Sequence, residues 1–241
     1  VIELHILGEG YTEEAFVKEL LIGHLANYGI KVVASIFVTK FDEDTGRLYK
    51  GGISNYQKVK SDIVRRLSSD RRDNLRVSTM IDFYGLPADF PSYYQAYREE
   101  DPYKRVEILE AAFAEDIGDS RFIPYLSLHE FEALIFSDPG KLGCVYFNND
   151  KQIDELVALS QEVSPELINN DPETCPSRRI KKAIRSYNKR FAGSRVAKAI
   201  GLNRIRSRCK HFDEWIGILE VLATAGGYQR GREWSQLRRQ L

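Results

Sequence analysis

The carboxylates of this sequence fall where the ends of apolar runs would gather them. Glu9 follows the run Val1 to Leu7, with Glu13 four residues on, and Asp82 closes the run Val77 to Ile81. Glu130 and Glu132 come just after Phe122 to Leu126, with His129 alongside. In an open parallel sheet the residues beyond the carboxyl ends of the strands share one rim, so positions far apart in sequence meet there. Carboxylates crowded on a rim repel one another and are costly unless protonated or neutralised by a cation. Mg²⁺ (or Mn²⁺) takes oxygen ligands from one or two such groups and completes its shell with water and substrate phosphates. The pattern therefore predicts a magnesium cradle with Glu9, Glu13, Asp82, Glu130 and Glu132 as metal ligands. Glu9, Glu13, Asp82 and Glu130 are the catalytic candidates, since such an ion polarises a phosphate and activates water. Gly8 and Gly10 are expected to let the backbone turn tightly and a bulky substrate approach.

Each acid also has a plainer use. Glu13 and Glu14 sit where acids complement a helix N-terminus, and for Glu14 that is the favoured use. Asp82 can cap the turn that leads to Gly85-Leu86-Pro87, and Glu130 and Glu132 can form the polar side of a helix. Singly, these uses account for the residues as well as a metal does; jointly, acids from three strand ends favour the metal. Other chemistries lack their motifs. Gly8-Glu9-Gly10 begins like a dinucleotide fingerprint but has Glu13 where a third glycine is required, and neither GxxxxGK[ST] nor GxSxG occurs. Cys209 and His211 lack the partners of a zinc quartet.

The elements that must position these acids read as alternating strands and helices. Val1–Leu7 is a strand, Gly8-Glu9-Gly10 a turn, and Ala15, Phe16, Leu20, Leu21 and Leu25 recur at helical spacing up to Gly29. Ile30–Val38 is a second buried strand, Phe41–Gly52 a polar loop, and Tyr56, Val59, Ile63, Val64 and Leu67 a helix face. Strands at Val77–Ile81 and Phe122–Leu126 flank a helix through Val106, Leu109, Ala112 and Phe113. The fold class is thus α/β, a parallel sheet flanked by helices over residues 1–140, with a mostly helical C-terminal lobe over 141–241 where Pro165, Pro172, Pro176 and Gly193 punctuate helical stretches.

With 43% hydrophobic and 29% charged residues in 241, and no apolar run near the length of a membrane span, the chain is expected to be globular and without a membrane partner. The first residues lack the features of a secretory signal, and three scattered cysteines fit reduced thiols, so a cytoplasmic location is expected. The net charge of zero hides a split. Between Cys175 and Leu241 there are 17 Lys and Arg against 4 Asp and Glu, leaving 18 against 31 for residues 1–174. Such a split fits a polyanion gripped by the basic part, and equally two parts that neutralise each other.

Glu9-Gly10-x-Thr12-Glu13 after the first strand, with Asp82 after a later one, resembles a Toprim domain, the metal-dependent module of topoisomerases, primases and OLD-type nucleases. Gly51-Gly52-Ile53-Ser54-Asn55-Tyr56, Met80 to Pro87, Leu128 to Ser137, and Ile200-Gly201-Leu202 with Cys209 to Trp215 extend the likeness over nearly the whole chain. Together they resemble an uncharacterised bacterial Toprim-like family, related to OLD-type nucleases and often encoded beside an ABC-type or AAA-type ATPase in mobile and defence loci. The resemblance implies a Toprim-like sheet and a cytoplasmic, Mg²⁺-dependent nuclease cutting DNA or RNA as the effector of an ATPase-linked anti-phage system, with oligomers possible. It assigns Glu9 the role of base or ligand and Asp82 that of a ligand. Tyr84 stands where the second member of an Asp-x-Asp pair is expected, which removes one ligand; Glu130 or Glu132 could substitute, and Glu13 has the offset of a second acidic ligand.

Within that frame the basic residues acquire a role. Arg178, Arg179, Lys181, Lys182, Arg185, Lys189 and Arg190 lie on one helical stretch, and Arg204, Arg206, Arg208 and Lys210 on another. They would bind nucleic-acid phosphates, with Tyr187 and Phe191 available to stack bases; a solvated or ATPase-facing surface is the other use of such residues. A non-catalytic Toprim-like regulatory or structural partner of the ATPase is the alternative function, favoured by Tyr84 and opposed by the joint presence of the acids.

Overall fold

A computed structural model describes residues 1–42, 47–50, 53, 55–168 and 174–224. The chain opens with β1 (Ile2–Gly8), followed by one nearly continuous helix made of α1 (Tyr11–Phe16), a π-helical turn (Val17–Leu21) and α2 (Ile22–Ala26). Gly29, at φ +74°, reverses the chain into β2 (Ile30–Ile36), which pairs in parallel with β1. An antiparallel pair, β3 (Val38–Asp42) and β4 (Arg47–Lys50), stands in place of the polar loop expected over Phe41–Gly52. Its Val, Thr, Phe, Leu and Tyr residues have the β-branched and aromatic character that strands favour, which a reading by polarity alone overlooks. Gly51, Gly52 and Ser54 of the quoted motif, and Pro172, lie outside the described residues.

After α3 (Tyr56–Ser69), the central strand β5 (Leu75–Asp82) pairs in parallel with β1 and is buried along its whole length. Then come α4 (Tyr93–Ala96), α5 (Pro102–Ile117), β6 (Phe122–Ile123) and β7 (Leu126–Ser127). The expected single strand Phe122–Leu126 is broken because Pro124 has no N–H to give the ladder. Ser78 and Thr79 hydroxyls of β5 bridge the gap, donating to the Ile123 and Tyr125 carbonyls at 2.7 and 2.9 Å. The sheet order is β2-β1-β5-β6, with β7 also beside β5, and every pairing is parallel.

The remainder is helical: α6 (Glu132–Ile135), α7 (Asp150–Glu162), α8 (Pro176–Ala183), α9 (Lys189–Ile200), α10 (Leu202–Arg208) and α11 (Lys210–Glu220). Alternation along the strands sends side chains to two cores. Leu7, Val77, Ile81 and Phe122 pack with Val59, Ile63, Leu109 and Phe113 of α3 and α5. On the other face Leu4, Ile6, Met80 and Ile123 pack with Phe16 of α1 and with Val196, Phe212, Trp215 and Ile216 of α9 and α11. The described helices beyond residue 141 thus share one continuous core with the sheet, and Trp215 joins the two, its indole N–H donating to Ser78 Oγ at 3.0 Å. Among the described residues no helix is long and apolar enough to cross a membrane.

Candidate carboxylate site

The parallel sheet brings the five predicted acids together at the carboxyl ends of β1, β5 and β7. The β1 ladder continues one residue past the strand, Glu9 N donating to Met80 O at 3.1 Å, and Glu9 Oε2 accepts from the Asp82 amide at 3.2 Å. Asp82 Oδ1 in turn accepts from the Phe131 amide at 2.9 Å, which draws the turn after β7 toward β5. That turn places His129 in the left-handed region at φ +66°, where its carbonyl accepts from Tyr84 N at 2.8 Å. Glu130 follows, its Oε1 accepting from Ser177 N at the start of α8. Glu132 opens α6 and Glu13 lies in the first turn of α1; both are almost completely buried.

Gly8 and Gly10 act by closeness rather than by an unusual backbone. Gly10 is extended, with φ −150° and ψ −171°. A Cβ on Gly8 would lie 2.8 Å from Glu13 Cβ, and one on Gly10 3.2 Å from Glu13 Oε2. The glycines therefore let α1 start hard against β1 and aim Glu13 inward.

At the centre is Lys189, expected from the sequence among the phosphate-binding residues. Its ammonium lies 2.9 Å from Asp82 Oδ2, 3.2 Å from Glu13 Oε1 and 3.4 Å from Glu132 Oε2. The signal that places it inside is helical periodicity: Lys189, Gly193, Val196 and Ile200 recur at spacings of 4, 3 and 4, and the last three are buried. Gly193 permits the approach, since a Cβ there would meet Thr12 Cγ2 at 2.6 Å. Tyr187, considered for base stacking, is buried, and its hydroxyl donates to Glu132 Oε1 at 3.3 Å.

Three carboxylates on one ammonium with two more close by leave an excess of negative charge, and the proton affinities of the four glutamates show it. Burial, with Asp82 and Glu13 nearby, pushes Glu9 up to about 8, and burial raises Glu132 to about 7 against the pull of Lys189. Glu13 and Glu130 are raised by the same loss of water. Burial opposes the charge of Lys189, but Asp82, Glu132 and Glu13 outweigh it and hold its proton well above the ordinary lysine range. Glu13 Oε1 and Glu132 Oε2, although near the ammonium, are buried and accept no hydrogen bond. His129 is buried with neither ring nitrogen bonded, and burial depresses it to about 4, so its ring is neutral.

The basic candidates divide. Arg178, Lys181, Lys182 and Arg185 are exposed, and among the described residues none of them is in an ion pair. Arg179 donates to the Thr174 carbonyl and Arg204 to the Ser137 carbonyl. Arg206 is committed to Asp213 and Glu220, so its charge is neutralised within the fold, while Arg208 holds the Ser160 carbonyl. Lys210 lies 3.7 Å from Glu214 and over the Tyr103 ring.

The profile of a domain of unknown function, DUF4276, matches residues 8–220, and the chain belongs to that family. The matched span takes in all five acids and Lys189. No curated protein and no solved structure matches the chain.

Proposed function

We propose that this DUF4276 chain is a divalent-metal-dependent phosphodiesterase acting on nucleic acid. The observation that carries the reading is the gathering of five carboxylates at the ends of three neighbouring parallel strands, three of them within 3.4 Å of a single ammonium. The donors suit Mg²⁺ or Mn²⁺, being hard oxygens throughout. Among the described residues no three His, Cys, Asp or Glu side chains form a ready cage. Mg²⁺ needs only one or two carboxylates from the protein, and Glu9 and Asp82, tied together through the Asp82 amide, offer that pair, with Glu130 beside them.

When bound there, the ion would neutralise a phosphate and lower the pKa of a water molecule. The chain's own groups do the rest. Lys189 fixes Glu13, Asp82 and Glu132 at their short spacing, and Tyr187 orients Glu132 from the other side. Glu132, poised at about 7, can exchange a proton at its carboxylate near neutral pH, the property a general base needs. The partner ATPase and the anti-phage role rest on the sequence resemblance, and co-purification of an ATPase with the tagged chain tests the first of them.

The test of the activity is hydrolysis of a labelled oligonucleotide in Mg²⁺ or Mn²⁺ against EDTA, with Glu9→Gln and Asp82→Asn. Cleavage that needs the metal and disappears in both variants supports the reading; metal-independent cleavage, or full activity in both variants, refutes it. One observation favours the non-catalytic alternative: Lys189 already supplies three of the acids with a counter-charge inside the protein. A folded protein that binds no divalent ion and cuts neither DNA nor RNA would establish that alternative.

A further inference from the structure

Two exposed aromatic rings flank the carboxylate site, each with a guanidinium laid over it. Tyr11 is two residues from both Glu9 and Glu13, and Arg190 lies 4.0 Å from its ring centroid. Phe191 is two residues from Lys189, and Arg195 lies 4.1 Å from its centroid. Tyr11 keeps 47% of its surface exposed and Phe191 53%, as several other aromatic rings of the protein do, and what sets this pair apart is their place beside the acids with an arginine over each ring. They come from neighbouring elements, α1 and α9, which pack on each other through Thr12 and Gly193. The same N-terminal turn of α9 that sends Lys189 inward therefore sends Arg190 and Phe191 outward.

Several cations of the fold are matched, Arg65 and Arg66 with Asp62, Arg72 with Asp70, Arg121 with Asp119, and Arg206 with Glu220, whereas among the described residues those of α8 are not. Among the described residues neither Arg190 nor Arg195 is in an ion pair, and both hold their positions by stacking alone. A stacked guanidinium keeps its N–H groups directed outward in the plane of the ring, where a phosphate can accept from them.

We propose that Tyr11 and Phe191, each backed by an arginine, form a base-stacking platform at the mouth of the carboxylate site, and that its occupant is single-stranded nucleic acid. This deepens the phosphodiesterase reading and rests on it for the role of the site, but not for the binding itself. Exposed rings accept any unpaired base, because every base has a stacking face, whereas a duplex hides those faces against its own neighbours. Unpaired arginines beside the rings would take the intervening phosphates, and the cations of α8 would extend the contact. A strand so held would pass the acids that neighbour Tyr11 in the chain, Glu9 and Glu13.

Fluorescence anisotropy with labelled oligothymidylate and oligouridylate of 20 nucleotides, and with a 20-base-pair duplex, tests this in EDTA, so that no metal-dependent cleavage contributes. The wild type is expected to bind at least one single strand about tenfold or more tighter than the duplex, and the preferred strand distinguishes DNA from RNA. Tyr11→Leu and Phe191→Leu should each weaken single-strand binding by about five- to a hundredfold, the range found for loss of a stacked base, with the circular dichroism spectrum unchanged. Arg190→Gln with Arg195→Gln should flatten the dependence of affinity on salt. Equal affinity for strand and duplex, or single-strand binding untouched by both leucine substitutions, overturns the proposal. Failure of the nuclease reading would show instead as absent cleavage in Mg²⁺ and Mn²⁺ with the anisotropy results intact.

Discussion

Replacing Lys189 with methionine keeps the unbranched stem and removes the ammonium at the centre of the site. The ammonium lies within 2.9 to 3.4 Å of Asp82, Glu13 and Glu132, of which Glu13 is 2% exposed and Glu132 1%. Removing one partner of a buried ion pair costs about 3–5 kcal/mol. A third of the Lys189 side chain is exposed, so water screens part of the loss, and we expect about 2 kcal/mol at pH 8. For a chain of this size that corresponds to a fall in melting temperature of about 4–8 °C. The loss must depend on pH. Without Lys189 the carboxyl groups hold their protons even more tightly, and an acid whose pKa is raised by folding favours the fold at low pH and loses that contribution as pH rises. At pH 5, where Glu9 and Glu132 are already protonated, the cost should shrink to about 1 kcal/mol or less. Thermal melts of wild type, Lys189→Met and Lys189→Arg at pH 5 and 8 are the assay, with arginine expected to restore most of the loss. Equal destabilisation of the methionine variant at both pH values would refute the electrostatic account of the site.

Further consequences concern the same groups and their supports. Because Glu9 and Glu132 are raised to about 8 and about 7, the metal-free wild type should itself lose stability as pH climbs from about 5 to 8, and millimolar Mg²⁺ should flatten that slope; a melting temperature that rises over the interval would contradict it. Gly193→Ala drives a methyl toward Thr12 Cγ2, 2.6 Å away, and should cost about 1–3 kcal/mol, with Thr12→Ser partly relieving it in the double variant. His129, depressed to about 4 by burial, should show imidazole proton resonances that do not move between pH 5.5 and 8, whereas a midpoint near 6.5 would place it in water.

Much of this arrangement is legible in the sequence, and for physical reasons. The runs at Val1–Leu7, Ile30–Val38 and Val77–Ile81 are rich in apolar and β-branched residues because a parallel sheet covered by helices buries side chains on both sides of its strands, and the few polar residues among them, such as Ser78 and Thr79, are hydrogen-bonded within the sheet. Once the strands at Val1–Leu7, Val77–Ile81 and Phe122–Leu126 are placed side by side, Glu9, Asp82 and Glu130 fall on one rim. What composition obscures is which charges are internal. A count of lysines and arginines treats Lys189 and Arg190 alike, yet one turns into the carboxylates and the other onto the Tyr11 ring. Arg206 looks equally available until α11 brings Asp213 and Glu220 to it. The broken fourth strand depends on a single proline, and the β3–β4 pair on residues whose polarity conceals their strand preference. The C-terminal helices read as a lobe because their apolar faces are periodic, but periodicity does not say that those faces lie on the sheet.

The central claim, that the gathered carboxylates form a divalent-metal site, is tested most directly by calorimetric titration of Mg²⁺ and Mn²⁺ into the wild type, Glu9→Gln and Asp82→Asn. The account predicts binding to the wild type that releases protons, seen as a heat that changes with the ionisation enthalpy of the buffer, because an ion must displace the protons held at Glu9 and Glu132. Both variants should lose that binding while remaining folded. A wild type that takes up neither ion, or binding that persists undiminished in both variants, would contradict it.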